Sequence, residues 1–372
     1  MHLRNNRTLS LLLALFIFNI ATGAQQPAAP SQAPPPPNSQ SPAPEQQSAP
    51  NSQPPAPAQP STPDNQSPQA PPAGGQETPG ASPDQGSEGG GFVFKAEVQE
   101  VVLHATVVDD KQRMITTLDK NAFTVFEDGK QQNITSFRHE DIPIALGIVI
   151  DNSGSMREKR DRVNKATLNL IRASNPDDQV FIVNFNDEYY LDQDYTSNIN
   201  KLREGLEKVE SRGGTALYDA LVASADHLKK SAKLQKKAIL VVTDGEDNAS
   251  RESLETAVRR LQEENGPTVY AIGILGDEKQ RRARRALQTI AERTGGIAFL
   301  PRNADEVDSI SRTVAHDIRN QYTIGYKPTT PKSAGGYRTI HVDARAHGYN
   351  KLVVRTRSGY YAGQEQATGG SN

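Results

Sequence analysis

The chain has 372 residues, a formal net charge of −2 and no cysteine. The missing thiol excludes disulfides, redox pairs, a catalytic cysteine and thiolate zinc sites. The near-neutral balance, with no basic stripe, excludes a nucleic-acid partner.

These averages hide regions of unlike composition. Residues 1–24 carry Arg4 and Arg7, then an apolar stretch from Leu9 to Ile20, then the small residues Ala21, Thr22, Gly23 and Ala24. That is the layout of a secretory signal peptide. The stretch is shorter than the about 20 residues of a membrane span. An uncleaved N-terminal anchor is the alternative, and only that would place the chain on a membrane. No cysteine follows, so lipid attachment to one is excluded. The expected location is periplasmic, cell-surface or secreted. Residues 25–91 are Pro, Gln, Ala, Ser and Gly with almost no large apolar side chain, and their charges (Glu45, Asp64, Glu77, Asp84, Glu88) are all acidic. Such a segment cannot bury enough surface to offset its ordering entropy, which predicts a disordered, semi-extended spacer. A polyproline ligand for a partner domain is the alternative reading.

Residues 92–140 alternate with period two. Val101, Leu103, Ala105 and Val107 fall on one face; Phe123 and Val125 continue the pattern, and Glu127-Asp128-Gly129-Lys130 signals a hairpin. Over residues 141–320 the period changes, and strands alternate with amphipathic helices, as in a mainly parallel sheet. Ile144 to Ile150 and Ala238 to Val242 are continuous apolar runs, the signature of strands buried on both faces. Gln179 to Phe185 and Thr268 to Leu275 are further strands, and helices are expected after Thr215 and around 278–293 and 304–319. Residues 321–362 return to alternation through Tyr322, Ile324, Tyr326, then Ile340, Val342, Ala344, then Leu352 and Val354. A few short strands bury too little to stand alone. The two β portions are therefore expected to pair into one small antiparallel sandwich, with the α/β domain inserted between them. Residues 363–372 are a disordered tail.

Function concentrates at the strand ends. Asp151-Asn152-Ser153-Gly154-Ser155 follows the first buried run, just past a strand's carboxyl end, where open α/β sheets bind ligands. Asp151, Ser153 and Ser155 offer hard oxygens, which suit Mg²⁺. Gly213-Gly214-Thr215 adds a hydroxyl on a glycine-rich loop, and Thr243-Asp244-Gly245 places a second carboxylate at another strand end. Three such loops on one sheet edge can converge on one cation.

Asp-x-Ser-x-Ser, Gly-Gly-Thr and Thr-Asp-Gly, in this order, resemble the metal-ion-dependent adhesion site (MIDAS) of a von Willebrand factor type A (VWA) domain. The resemblance implies a doubly wound Rossmann-like sheet. It also implies Mg²⁺ (or Mn²⁺) held by Asp151, Ser153, Ser155, Thr215 and Asp244, with an acidic side chain from a protein partner completing the shell. Val107-Val108-Asp109, Phe123 to Gly129 and Ser358-Gly359-Tyr360-Tyr361 further resemble the VWFA-related proteins of acidobacteria. An alternative is that the three loops merely cap the sheet with ordinary turn residues. Another is that a metal only stiffens them. Glu246, Asp247 and Asn248 are expected to be solvated; Tyr218 and Asp219 either line the rim or cap a helix.

Enzyme signatures are missing. No Gly-x-Ser-x-Gly elbow surrounds Ser153 or Ser155. The seven histidines lack zinc spacing, and there is no phosphate loop. An aspartyl phosphotransferase wants a second acid where Ser153 stands. The expected function is an exported, non-enzymatic binding module for a protein ligand, dependent on the metal. The runner-up is a structural envelope scaffold whose metal only stabilises the fold. Asp151→Ala is expected to abolish Mg²⁺ binding and leave the fold largely intact.

Overall fold

The computed structural model describes residues 100–208, 210–275 and 280–363. The predicted signal peptide and spacer, and all but the first residue of the predicted tail, lie outside these residues.

The amino-terminal flank forms β1 (Val101–Asp109), β2 (Phe123–Glu127), β3 (Lys130–Gln132) and β4 (Ile134–Arg138). Asp128 and Gly129 between β2 and β3 both take positive φ, at 49° and 76°, as the tight hairpin turn signalled by Asp-Gly requires. Then come β5 (Ile144–Asp151), α1 (Arg160–Ala173), β6 (Gln179–Phe185), β7 (Tyr189–Thr196), α2 (Ile199–Glu207) and α3 (Leu217–Ser231). The domain continues with β8 (Lys236–Thr243), α4 (Leu254–Leu261), β9 (Thr268–Gly273), α5 (Arg281–Thr294), β10 (Ala298–Phe299) and α6 (Val307–Arg319). The carboxyl-terminal flank supplies β11 (Tyr322–Tyr326), β12 (Tyr337–Ala344), β13 (Leu352–Arg355) and β14 (Gly359–Tyr361).

The central sheet runs β10-β9-β8-β5-β6-β7, parallel except for β7, which is an antiparallel edge. Its two faces carry separate cores. Ile144, Leu146, Ile148 and Ile150 of β5 point into one, while Ala145 and Val149 point into the other. This explains why the run is apolar without alternation. Gly147 interrupts it because the Phe181 ring of β6 occupies the space where a side chain would stand.

Two four-stranded antiparallel sheets, β13-β1-β11-β4 and β14-β12-β2-β3, form the sandwich. Each mixes strands from both flanks: Leu103 of β1 pairs with Ile324 of β11, and Val125 of β2 with Val342 of β12. The expected insertion architecture is what the pairing shows. Leu103, Ala105, Val107, Val125, Ile324 and Val342 share the sandwich core. A buried polar cluster crosses it. Arg338 pairs with Glu127 at 3.2 Å, and the Tyr326 and Tyr360 hydroxyls donate to the same carboxylate at 2.6 and 3.0 Å. The other face of the first sheet meets the α/β domain. There Asp317 of α6 accepts from Thr106 (β1) at 3.3 Å and Tyr270 (β9) at 2.7 Å, and pairs with Arg355 (β13) at 3.0 Å. One buried carboxylate thus fastens three elements at the seam.

The sequence reading missed β7, α2 and α4. The β7 segment, Tyr-Tyr-Leu-Asp-Gln-Asp-Tyr-Thr, is polar enough to read as a loop, and Tyr189, Tyr190 and Leu191 are indeed exposed on it.

Candidate metal centre

The three polar loops meet at the carboxyl edge of β5 and β8. Asp151 is the last residue of β5 and fully buried. Its Oδ1 accepts from the Ser153 amide at 2.7 Å, and its Oδ2 accepts from the Thr243 hydroxyl at 2.5 Å. The first contact closes a local Asx turn. The second ties β5 to the neighbouring strand. Ser153 Oγ lies 3.1 Å from Ser155 Oγ, and Ser155 Oγ donates to Asp244 Oδ1 at 2.7 Å. Four of the five expected residues are therefore joined in one chain of contacts.

Thr215 arrives through backbone. Gly154 N donates to Gly213 O at 3.2 Å and Arg212 N to Asn152 O at 2.8 Å, which clamps the glycine loop onto the first loop. Among the described residues, no hydrogen bond joins the Thr215 hydroxyl to the other four side chains. Its proximity shows at Gly245, where an added Cβ would sit 3.5 Å from Thr215 Oγ1.

Several neighbours were not legible as partners. Asp187, just after β6, accepts from Gly214 N at 2.7 Å, and a side chain on Gly213 would collide with its carboxylate. Gly213 also takes a φ of 74°, so a glycine is required there on both counts. Asn248 and Asp247, expected to be solvated, serve the same loop. Asn248 Oδ1 accepts from Thr215 N at 2.9 Å, and Asp247 Oδ2 accepts from Tyr218 N at 3.0 Å. Asp219 accepts from the amides of Arg251 and Glu252, so its role is loop ordering. Lys159 places its ammonium on Asp244 Oδ2 and donates to Ser155 O at 3.2 Å. The only sequence signal for it was a cation immediately before α1.

Burial, and then the nearby charge of Asp244, push the Asp151 carboxyl up, against the hydrogen bonds from Thr243 and Ser153 that hold it down. Two acids and three hydroxyls are a hard-oxygen donor set. Among the described residues no three His, Asp or Glu side chains gather in the way a zinc site needs. Adjacent ligands of an octahedral Mg²⁺ lie about 3.0 Å apart, from metal–oxygen distances of about 2.1 Å. The 3.1 Å Ser153–Ser155 separation fits one such edge. The Lys159 ammonium on Asp244 shows where positive charge is already drawn. The side-chain Oδ1 and Nδ2 of Asn152, in the same loop, are buried without a protein partner.

Residues 146–246, which contain all five candidate ligands, match the family model described as von Willebrand factor type A domain. The chain carries a VWA domain. A mouse protein, calcium-activated chloride channel regulator 3A-1, is 29% identical over 163 residues, covering 41% of this chain and 17% of the relative. An uncharacterized Synechocystis protein is 23% identical over 162 residues, covering 43% of this chain and 38% of the relative. The chain thus spans well under half the length of either relative. Among solved structures, a von Willebrand factor type A protein from Catenulispora acidiphila aligns with a TM-score of 0.43 at 13% identity, over 72% of this chain and 74% of that one.

Asp151 differs from expectation in one respect. It was read as lying on a loop outside the core, yet it sits within β5 and holds two hydrogen bonds. Asp151→Ala removes those bonds from a buried site, at a cost of about 1–3 kcal/mol. Asp151→Asn keeps the shape and is the cleaner probe.

Proposed function

We propose that this chain is an exported, non-enzymatic binding module whose VWA domain recruits a protein ligand through a divalent cation, Mg²⁺ or Mn²⁺. The observation that carries the reading is the convergence of Asp151, Ser153, Ser155 and Asp244 in one contact chain with Thr215 clamped beside them. Ser153, Ser155 and Thr215 supply neutral oxygens, while Asp151 and Asp244 supply the charge. When bound, the metal offers a Lewis-acid coordination position to a carboxylate from outside. Lys159 holds the place of a counter-cation on Asp244, so ligand binding begins with its release. Thr243, Asp187 and Asn248 orient the donors and take no part in coordination. Export rests on the composition of residues 1–24. No helix among the described residues is long and apolar enough to cross a membrane.

Calorimetric titration of Mg²⁺ into the wild type and Asp151→Asn tests the site. Binding to the wild type alone is expected, followed by metal-dependent capture of a peptide bearing Glu or Asp. Equal affinity in the variant would sink the assignment. Metal binding that raises the unfolding temperature without any acidic peptide engaging would favour the scaffold role.

A further inference from the structure

A second feature lies at the opposite end of the same sheet. A cavity of about 450 Å³ opens between the amino end of the central strands and the outer face of the sandwich. Lys236 opens β8 and Thr268 opens β9; facing them are His104 of β1, Thr323 of β11 and Arg138 of β4. Six lining residues are cationic (Arg138, Lys233, Lys236, Lys237, Lys332, Arg357) against two acids, Glu100 and Glu264. Glu264 is already paired with Lys332, and Glu100 accepts from Thr135.

Two of these cations are withdrawn from water. Lys236 is 3% exposed and Arg357 8%. Lys236 donates to the Ile318 carbonyl at 2.5 Å and Arg357 to the Glu263 carbonyl at 2.9 Å. These partners are neutral, and each cation has further donors to satisfy. Among the described residues neither forms an ion pair; the carboxylates acting on Lys236 through space, Asp141, Asp178 and Asp317, lie outside the cavity lining, while Glu264, which lines it, acts on Arg357 through space and is itself paired with Lys332. Burying a cation without a counter-ion is costly, and proteins that keep such groups use them. The neighbouring titrations agree. Burial lowers Lys236 to about 8 and Arg357 to about 10, and burial together with those two cations lowers His104 to about 3. The volume is in the range of small-molecule sites, which favour interfaces between domains.

We infer that this cavity binds a small polyvalent oxyanion, carrying carboxylate or phosphate groups, between Lys236 and Arg357. Arg357 offers a planar fork and Lys236 a point charge, a pairing suited to both groups. Arg138 and Lys233 stand exposed at the mouth and draw the anion in. A bound anion bridges the α/β domain, through Lys236, to the carboxyl-terminal flank, through Arg357. The site is independent of the metal centre.

The test is calorimetry and thermal unfolding of the full chain with citrate and with pyrophosphate, at fixed ionic strength in EDTA, with chloride as reference. Saturable one-to-one binding with a raised unfolding midpoint is expected. Whichever anion binds more tightly identifies the source chemistry. Lys236→Met and Arg357→Gln are each expected to lose about tenfold or more in affinity, as charge-assisted contacts do. Exposed Lys111→Ala, outside the cavity, should be unchanged. No saturable binding of either anion overturns the proposal, as does equal affinity in Lys236→Met and Arg357→Gln. If those two variants do not fold, Arg138→Ala/Lys233→Ala decides it: weaker binding supports the site, and unchanged affinity overturns it.

Discussion

The two ends of the central sheet carry opposite chemistry. At the carboxyl end, β5 finishes in Asp151 and Asp244 directly follows β8, and the loops around them present hydroxyls. At the amino end, β8 begins in buried Lys236 and the cavity beside it is rich in cations. One apolar layer separates an acidic, oxygen-rich edge from a basic hollow. The strands themselves fix neither charge. What differs is what closes each end: loops of the VWA domain at one, and the sandwich at the other. A site at the first end is built from local motifs. A site at the second exists only because two flanks fold over the sheet.

Several experiments would break or sharpen this contrast. The largest effect is expected where a buried cation has a partner. Arg338→Met leaves Glu127 buried and unpaired in the sandwich and should cost about 3–5 kcal/mol in denaturant unfolding. Lys236→Met, in anion-free buffer, should change stability by no more than about 1 kcal/mol, because it forfeits one bond to a carbonyl while relieving burial of a charge. Similar losses in both would show that Lys236 is a structural cation and erase the contrast.

Next comes the carboxyl end. Asp244→Ala should lower Mg²⁺ affinity by at least about a hundredfold in calorimetry, since it removes one of two anionic donors. A weaker effect would move the centre's charge onto Asp151 alone. Lys159→Met should act oppositely and more mildly. Freed of the competing ammonium, Asp244 should raise Mg²⁺ affinity about fivefold, or about 1 kcal/mol. A drop in affinity would instead make Lys159 a support for the site.

The smallest effect separates the ends by pH. His104 titrates near 3 in the folded chain, against 6.5 when unfolded. Below pH 6.5 the unfolded state takes up a proton that the native state refuses. Stability therefore falls as pH drops from 6.5 toward 3. His104→Gln should flatten that slope in unfolding curves. Citrate in the cavity should flatten it too, by offsetting the cations that repel a proton from His104. A slope that ignores both would place the acid sensitivity elsewhere.

Legibility in the sequence followed the same division. Ile144 to Ile150 announced a doubly buried strand because both its faces meet hydrophobic cores. The Asp-x-Ser-x-Ser string could be read because its contacts are two residues long, as in Ser153 N to Asp151 Oδ1. Asp187 and Lys159 escaped because they meet the site only through a tertiary approach, to Gly214 and Asp244 respectively. The basic cavity was invisible for the same reason. Neither Lys236 nor Arg357 belongs to a motif, and nothing local tells that both face one hollow. β7 was lost to its polarity, since none of its residues is buried and so neither face carries an apolar pattern.

The strand pairing of β1 has a consequence for how the chain is made. Its register partners, β11 and β13, lie beyond the entire VWA domain in the chain. As the polypeptide emerges, β1 is completed first and its ladder last, while β2 has only its β3 hairpin partner at hand. The VWA domain, whose parallel strands have their partners close by in sequence, can condense meanwhile. The early strands wait as open edges, the state most exposed to mispairing with other chains. Closure of the sandwich is then the slow, non-local step of folding. The cavity lined by β1, β4, β8 and β11 comes into being only at that moment, so occupancy of the basic hollow would report that the last strand has docked.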